Sequence, residues 1–352
     1  MKVDMVEKEK KLQSVLDNTI DEKKIFGTSF GIKKDGITWC GASGNMSIEQ
    51  PYFIASTTKL FTTAIILRLQ SEAKLHLNDT IDKYIDSSLL TNLHVLNGVH
   101  YSEKITIKHL LSHTSGIPDY FQDKAEQGES LEKLLVSGKD HYWTTDQAIE
   151  RSKAIKPLFP PGKKGKAHYS DTNFQLLGKI IDTSTNKSYA DNITDSILKP
   201  LNLSHTYLYS HEEDKNPKTL YYKTNELHIP KAMISFGADG GIVSTTADML
   251  TFIEAFFTGK LFPINYIGNL QQWNNIFFPM QSGIGIHLFK LPWFFNPTGS
   301  IPSFIGHSGL SGALAYYCPK ENIYVVGTVN QVAHPDISFK TMIKLVQVIQ
   351  KN

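Results

Sequence analysis

Cysteine is almost missing from this chain: Cys40 and Cys318 are the only two among 352 residues. Two thiols are too few for a thiolate metal site or a disulfide scaffold. Each lies in β-rich sequence and reads as a small buried hydrophobe, with a single bridge between them left open. An excess of one charge is missing too. The 36 Lys and Arg against 34 Asp and Glu leave a formal net charge of +2. That balance removes the electrostatic case for nucleic acid or an anionic membrane as partner. The run Glu7-Lys8-Glu9-Lys10-Lys11 mixes both signs and reads as a solvated helix face. No stretch approaches the roughly 20 apolar residues of a membrane-spanning helix. The N-terminus shows no apolar export core, and an exported location with its signal removed is favoured over a cytoplasmic one. Internal repeats and low-complexity segments are also lacking.

What is present is ordinary globular composition, 41% hydrophobic and 20% charged, on a chain long enough for a large core. Leu12, Val15, Leu16 and Ile20 share one face of a first helix. A hairpin over Thr28 to Ala42 turns at Asp35-Gly36, a pair that tolerates positive φ. Residues 56 to 75 read as a long, mostly buried helix striped by Leu60, Ala64, Leu67 and Leu75. Helical patterns broken by Pro, Gly, Ser and Asn loops continue to about residue 230. After Gly237, Gly240 and Gly241 come a helix over Ala247 to Phe257, then strands over Gly283 to Lys290, Ala313 to Cys318 and Ile323 to Val329. An amphipathic helix, Ile337 to Ile349, closes the chain.

β-forming sequence thus sits at both ends, with helical sequence between. The expected fold is α+β: one antiparallel sheet flanked by the terminal helices, plus a mostly helical lobe. Residues 1–55 and 236–352 would form the sheet lobe and 56–235 the helical lobe, with a ligand cleft between them.

Ser-x-x-Lys places a hydroxyl and an amine on one helix face, where they can meet. The pattern starts at Ser56, Ser71, Ser130, Ser184 and Ser196. Only Ser56 follows a loop and opens the apolar helix, where the helix dipole favours charge on an attacking oxygen. Lys59 is then its proton partner, because a partly desolvated lysine serves as a base. Tyr169-Ser170-Asp171 opens another helical pattern. A tyrosine beside ammonium groups loses its proton more easily and shares the base role. The plain alternative is a turn with Asp171 or Thr172 as N-cap. In Gly306-His307-Ser308-Gly309-Leu310-Ser311-Gly312, small residues let a strand edge approach a ligand, with His307 reaching its far end. His109 and His113 lie one helical turn apart but lack the Glu and third ligand of a zinc site. They read as parts of a helix ending at Gly116. No metal and no cofactor is expected.

Taken in order, these segments resemble the family of class C β-lactamases and D-alanyl-D-alanine carboxypeptidases, penicillin-binding-protein-like serine hydrolases. Phe159-Pro160-Pro161-Gly162 and Asp239-Gly240-Gly241-Ile242-Val243-Ser244-Thr245 extend the match, which covers nearly the whole chain. The resemblance implies Ser56 as nucleophile, Lys59 as proton acceptor, and Tyr169 as the tyrosine that activates the nucleophile or protonates the leaving group. It puts His307 where a Lys-Thr-Gly lysine usually stands. It draws the oxyanion hole from the backbone N–H groups of Ser56 and Leu310, and the substrate contacts from Asp171, His307, Ser308, Gly309 and Leu310.

Two departures bear on the substrate. Asp171 stands where many relatives carry Asn, and a carboxylate accepts but cannot donate; it would favour an amine-bearing substrate, or simply pair with Lys59. His307 replaces a permanent cation, so a carboxylate anchor would weaken as pH rises. Both point away from an antibiotic-destroying enzyme. The expected activity is hydrolysis of an amide, peptide or ester through an acyl-enzyme, as a D-amino-acid peptidase or carboxypeptidase, an esterase or a weak β-lactamase, on a small-molecule or peptide substrate of cell-wall type. The rival reading is a non-catalytic penicillin- or peptidoglycan-binding sensor. Specificity is expected from the loops Tyr120 to Trp143 and Leu261 to Phe278. Trp143, Trp273 and Trp293 are candidates to line a pocket, although core burial is the commoner fate of aromatics.

Overall fold

The computed structural model describes residues 2–126 and 128–350. Its main sheet has eight strands: β1 (Gly27–Lys34), β2 (Ile37–Gly44), β3 (Asn274–Phe277), β4 (Met280–Ser282), β5 (His287–Phe289), β6 (Phe304–Ser308), β7 (Ala313–Cys318) and β8 (Ile323–Thr328). Their spatial order is β3-β4-β5-β6-β7-β8-β1-β2, antiparallel throughout. Both ends of the chain therefore build one sheet, joined where β8 pairs with β1. The β1–β2 hairpin turns on Asp35 (φ 49°) and Gly36 (φ 82°), the left-handed pair that matches strand twist.

One face of the sheet is covered by the terminal helices α1 (Lys2–Asp17) and α5 (Asp336–Gln350). Leu12 and Leu16 pack there with Met342, Leu345, Val346 and Ile349 against Phe30, Leu314, Tyr316 and Val325. The opposite face receives α4 (Thr246–Phe257), whose N-cap Thr245 accepts from the Asp248 N–H. Behind it lies α2 (Lys59–Ser71), and the Phe61 and Phe252 rings stack at 3.6 Å. Each such fully buried side chain contributes about 1.5–3 kcal/mol of transfer free energy. Cys318 is buried in the terminal-helix core, Cys40 is half-buried, and both thiols are free.

Two sequence expectations change here. The run 283–290 is not one strand. Gly283 N–H bonds to the Ile286 carbonyl across Gly285 (φ 70°), folding it into the turn that joins β4 to β5. The helix expected over 56–75 starts as a 3-10 turn, Ala55–Thr58, and its α-helical part stops at Ser71. A small sheet joins Tyr52–Phe53, Ile242–Ser244 and Tyr207–Leu208, and so takes strands from both sides of the expected lobe boundaries. It fixes the chain immediately before Ser56.

Candidate active site

Ser56 is placed by its neighbours before any chemistry is considered. Ile54 N–H bonds to the Ile242 carbonyl, and Ser311 Oγ–H donates to the Phe53 carbonyl at 2.8 Å. Ala55 is held at φ 47°, a left-handed conformation costing roughly 1–2 kcal/mol for a residue with a Cβ. Such strain turns the chain sharply from strand into helix. Gly309 lies flat against this turn. A Cβ there would fall 2.5 Å from the Ile54 carbonyl oxygen and 3.1 Å from the Ser56 nitrogen.

One helical turn on, Lys59 is fully buried yet has a partner for each ammonium hydrogen. Its Nζ lies 3.2 Å from Ser56 Oγ, 2.5 Å from Asp171 Oδ1 and 2.7 Å from the Asp239 carbonyl. A buried ammonium holds only when its donors are met in this way. Asp171 therefore pairs with Lys59, the simpler of its two expected roles. Ser170, not Asp171 or Thr172, occupies the N-cap of the helix α3 (Asp171–Thr185).

Tyr169 donates to Ser56 Oγ at 2.8 Å. His113 fixes it from below. The two rings stack at 4.6 Å, His113 Nδ1 accepts the Ser170 N–H at 3.1 Å, and the His113 carbonyl accepts the His168 N–H. The helix expected to end at Gly116 ends at Leu111, and His113 itself sits at φ 56°. His109 instead accepts the Thr106 N–H in a capping box, so the two histidines do not converge. Enclosure of the Tyr169 ring, with the Asp171 charge beside it, holds the phenol well above its usual value. In the resting site Tyr169 is the proton donor of its hydrogen bond to Ser56.

Beneath the pair lie two carboxyl groups that sequence reasoning did not assign. Asp119 Oδ1 accepts the N–H groups of Asp171 and Phe121. Asp239 Oδ2 accepts from Tyr120 OH and Gln175 Nε2, both at 2.9 Å. Burial, and then repulsion from Asp171, raises both well above the usual carboxylate range. Asp239 belongs to a segment read only as a glycine-rich return, and Asp119 to no motif.

His307 lies in β6, 2% exposed, with Nδ1–H donating to the Ser308 carbonyl at 2.9 Å. It stacks at 4.1 Å on His287, a residue with no sequence signature. Burial drives His307 and His113 well below the ordinary histidine range, and His287 to about 3. All three are neutral at pH 7. Neither His307 nor His287 supplies the positive charge of a carboxylate anchor.

Ser56 opens on a cavity of about 440 Å³. Asp171, His287, His307, Ser308, Gly309 and Leu310 line its reactive part, so every expected site residue except the buried Lys59 faces it or, as Tyr169, borders it. Gly309 N–H is committed to the Ala313 carbonyl at 2.8 Å. Phe121, Leu135, Met233 and Phe236 form one apolar wall, and Phe277, Phe278 and Phe289 another. Both expected specificity loops thus contribute. Trp143 is core, whereas Trp293 is neither core nor cavity: it is exposed.

The fold and this site define a class. The chain belongs to the β-lactamase family, whose model matches residues 12–343. Among solved structures, a D-stereospecific amidohydrolase from Streptomyces is similar with a TM-score of 0.76 at 25% identity, covering 94% of this chain and 97% of that one. Among curated proteins, protein flp of Staphylococcus aureus is 30% identical over 207 residues, 56% of this chain and 38% of flp. The teichoic acid D-alanine hydrolase of Staphylococcus aureus is 30% identical over 216 residues, 60% of this chain and 47% of that enzyme. The chain thus spans less than half the length of these curated relatives.

Proposed function

We propose that this chain is a serine hydrolase that cleaves an ester or amide through an acyl-Ser56 intermediate. One observation carries the reading: Ser56 Oγ, open to the cavity, is within hydrogen-bond distance of both Lys59 Nζ and Tyr169 OH. As Ser56 Oγ bonds to the substrate carbonyl carbon, Lys59 passes one proton to Asp171 and takes the serine proton. The carbonyl electron pair moves to oxygen, facing the Ser56 and Leu310 N–H groups; each such donor is worth about 3–4 kcal/mol in the transition state. Collapse expels the leaving group with a proton from Tyr169. Lys59, 5.1 Å from the Tyr169 ring centre, stabilises the phenolate. Water then gives a proton to Tyr169 and its oxygen to the acyl carbon, and Ser56 leaves with the proton held by Lys59 and Asp171.

A D-amino-acyl ester or amide with a free amine is the preferred substrate type. The neutral histidines place no cation against an ammonium group. The names of the Staphylococcus and Streptomyces relatives support the same choice. The test is hydrolysis of p-nitrophenyl acetate and of a D-alanyl ester. Ser56→Ala abolishes both while the protein stays folded. Full activity in that variant removes the assignment. Stable labelling of Ser56 by a penicillin without turnover of any ester would instead favour the sensor.

A further inference from the structure

Beside the cavity mouth the protein exposes a run of aromatic rings that its own fold does not cover. Phe278 is 69% exposed and Trp293 79%, and Phe294 and Phe295 are likewise open. They form one patch, not scattered singles. Phe278 lies 6.3 Å from Phe295, Phe295 lies 4.7 Å from Phe294, and Phe294 lies 6.1 Å from Trp293. Phe277 continues the patch inward, 6.2 Å from the Tyr169 ring. Exposed contiguous apolar surface of this kind marks an interaction site.

The charge around it selects the partner. The near-zero net charge of the chain hides a local asymmetry: residues 255–320 contain no Asp or Glu at all. Lys260, Lys290 and Lys320 are the cations of that stretch, and exposed Lys290 opens the aromatic loop. Of the three, Lys290 is the one that adjoins the aromatic run in sequence, three residues before Trp293. Asp336, which lines the same cavity, is paired with Lys340. Trp and Phe beside a lysine, on a segment free of carboxylates, suit the headgroup layer of a bilayer bearing anionic lipids. A second copy fits less well, because a twofold interface through the same patch sets the two aromatic loops, each with its Lys290, together. No helix among the described residues is long and apolar enough to cross a membrane.

We propose that Phe278, Trp293, Phe294 and Phe295, with Lys290, form a docking surface for an anionic lipid bilayer. Docking sets the cavity mouth on the membrane, so that Ser56 meets substrates held at that surface. This proposal does not depend on the hydrolase reading, since Ser56→Ala protein should bind vesicles like the unaltered chain.

The experiment is vesicle co-sedimentation of the full chain, using phosphatidylcholine with and without phosphatidylglycerol. Binding is expected to be stronger on the anionic vesicles. Replacing Trp293, Phe294 and Phe295 together by Ser should weaken it about tenfold or more. Lys290→Glu should weaken it about tenfold on anionic vesicles and leave phosphatidylcholine binding unchanged. Hydrolysis of a soluble ester, unchanged in both variants, reports that they fold. Absence of vesicle binding, or binding that the variants leave intact, overturns the proposal. So does a concentration-dependent dimer in sedimentation velocity that the triple variant abolishes, which would assign the patch to a second copy.

Discussion

Lys59 Nζ lies closer to Asp171 Oδ1, at 2.5 Å, than to the Ser56 oxygen it serves, at 3.2 Å. The proposed mechanism makes that carboxylate part of the proton path. Asp171→Asn should lower kcat for a neutral ester about a hundredfold, within the usual range for lost acid–base help. Its KM for that ester should change little. Steady-state kinetics check both statements. Equal kcat would show that Lys59 needs no partner to cycle its proton.

Tyr169→Phe keeps the ring that stacks on His113 and removes only the oxygen. Thermal stability should stay close to that of the unaltered chain. Activity should fall by about two to four orders of magnitude, with the larger loss on substrates whose leaving group needs a proton, such as amides. A series of esters graded by leaving-group acidity gives the measurement. Uniform loss across the series would assign Tyr169 to activation of Ser56 instead.

The histidine cluster makes a prediction about acid. His113, His287 and His307 are buried neutral, with folded values below the usual 6.5. Below about pH 6.5 the unfolded chain binds more protons than the folded one at these sites, so stability falls as pH drops towards about 3. Asp119 and Asp239, raised in the folded state, act oppositely: their contribution is present at low pH and is lost as pH rises above the usual carboxylate value. His287→Phe should therefore reduce the drop in Tm between pH 6.5 and pH 4.5. An undiminished drop would place the acid sensitivity elsewhere. For the same reason, affinity for carboxylate ligands should be flat from pH 5 to 8 if it depends on His307.

Gly309→Ala tests the seat of the nucleophile. The new Cβ has backbone 2.5 Å away at Ile54 and must push the Ala55–Ser56 turn aside. Overpacking of this kind costs about 1–3 kcal/mol, and displacement of Ser56 by a fraction of an ångström should lower kcat more than it raises KM. Normal kcat with normal Tm would show that the strand β6 can shift freely.

Ser56, Lys59 and Tyr169 were legible in the sequence because two of them are fixed by helical spacing and the third stands just before the N-cap of another helix. The α+β class followed from apolar periodicity at the two ends of the chain. Residue spacing cannot reveal contacts between segments far apart, and the rest of the site is made of those. Asp119 and Asp239 reach Lys59 and its partner only when two loops pack under α2. His287 meets His307 only through the pairing of β5 with β6. Burial, which the sequence does not state, holds the Tyr169 phenol above its usual range and the His307 ring below its own.

The sequence by itself determined a hydroxyl, an amine and a phenol in the right order, since local geometry needs only neighbours along the chain. Tertiary structure alone decided which partners these groups meet and what surrounds the cavity mouth. Those properties depend on desolvation and on charges brought together from distant segments, and both come into being only when the chain is packed.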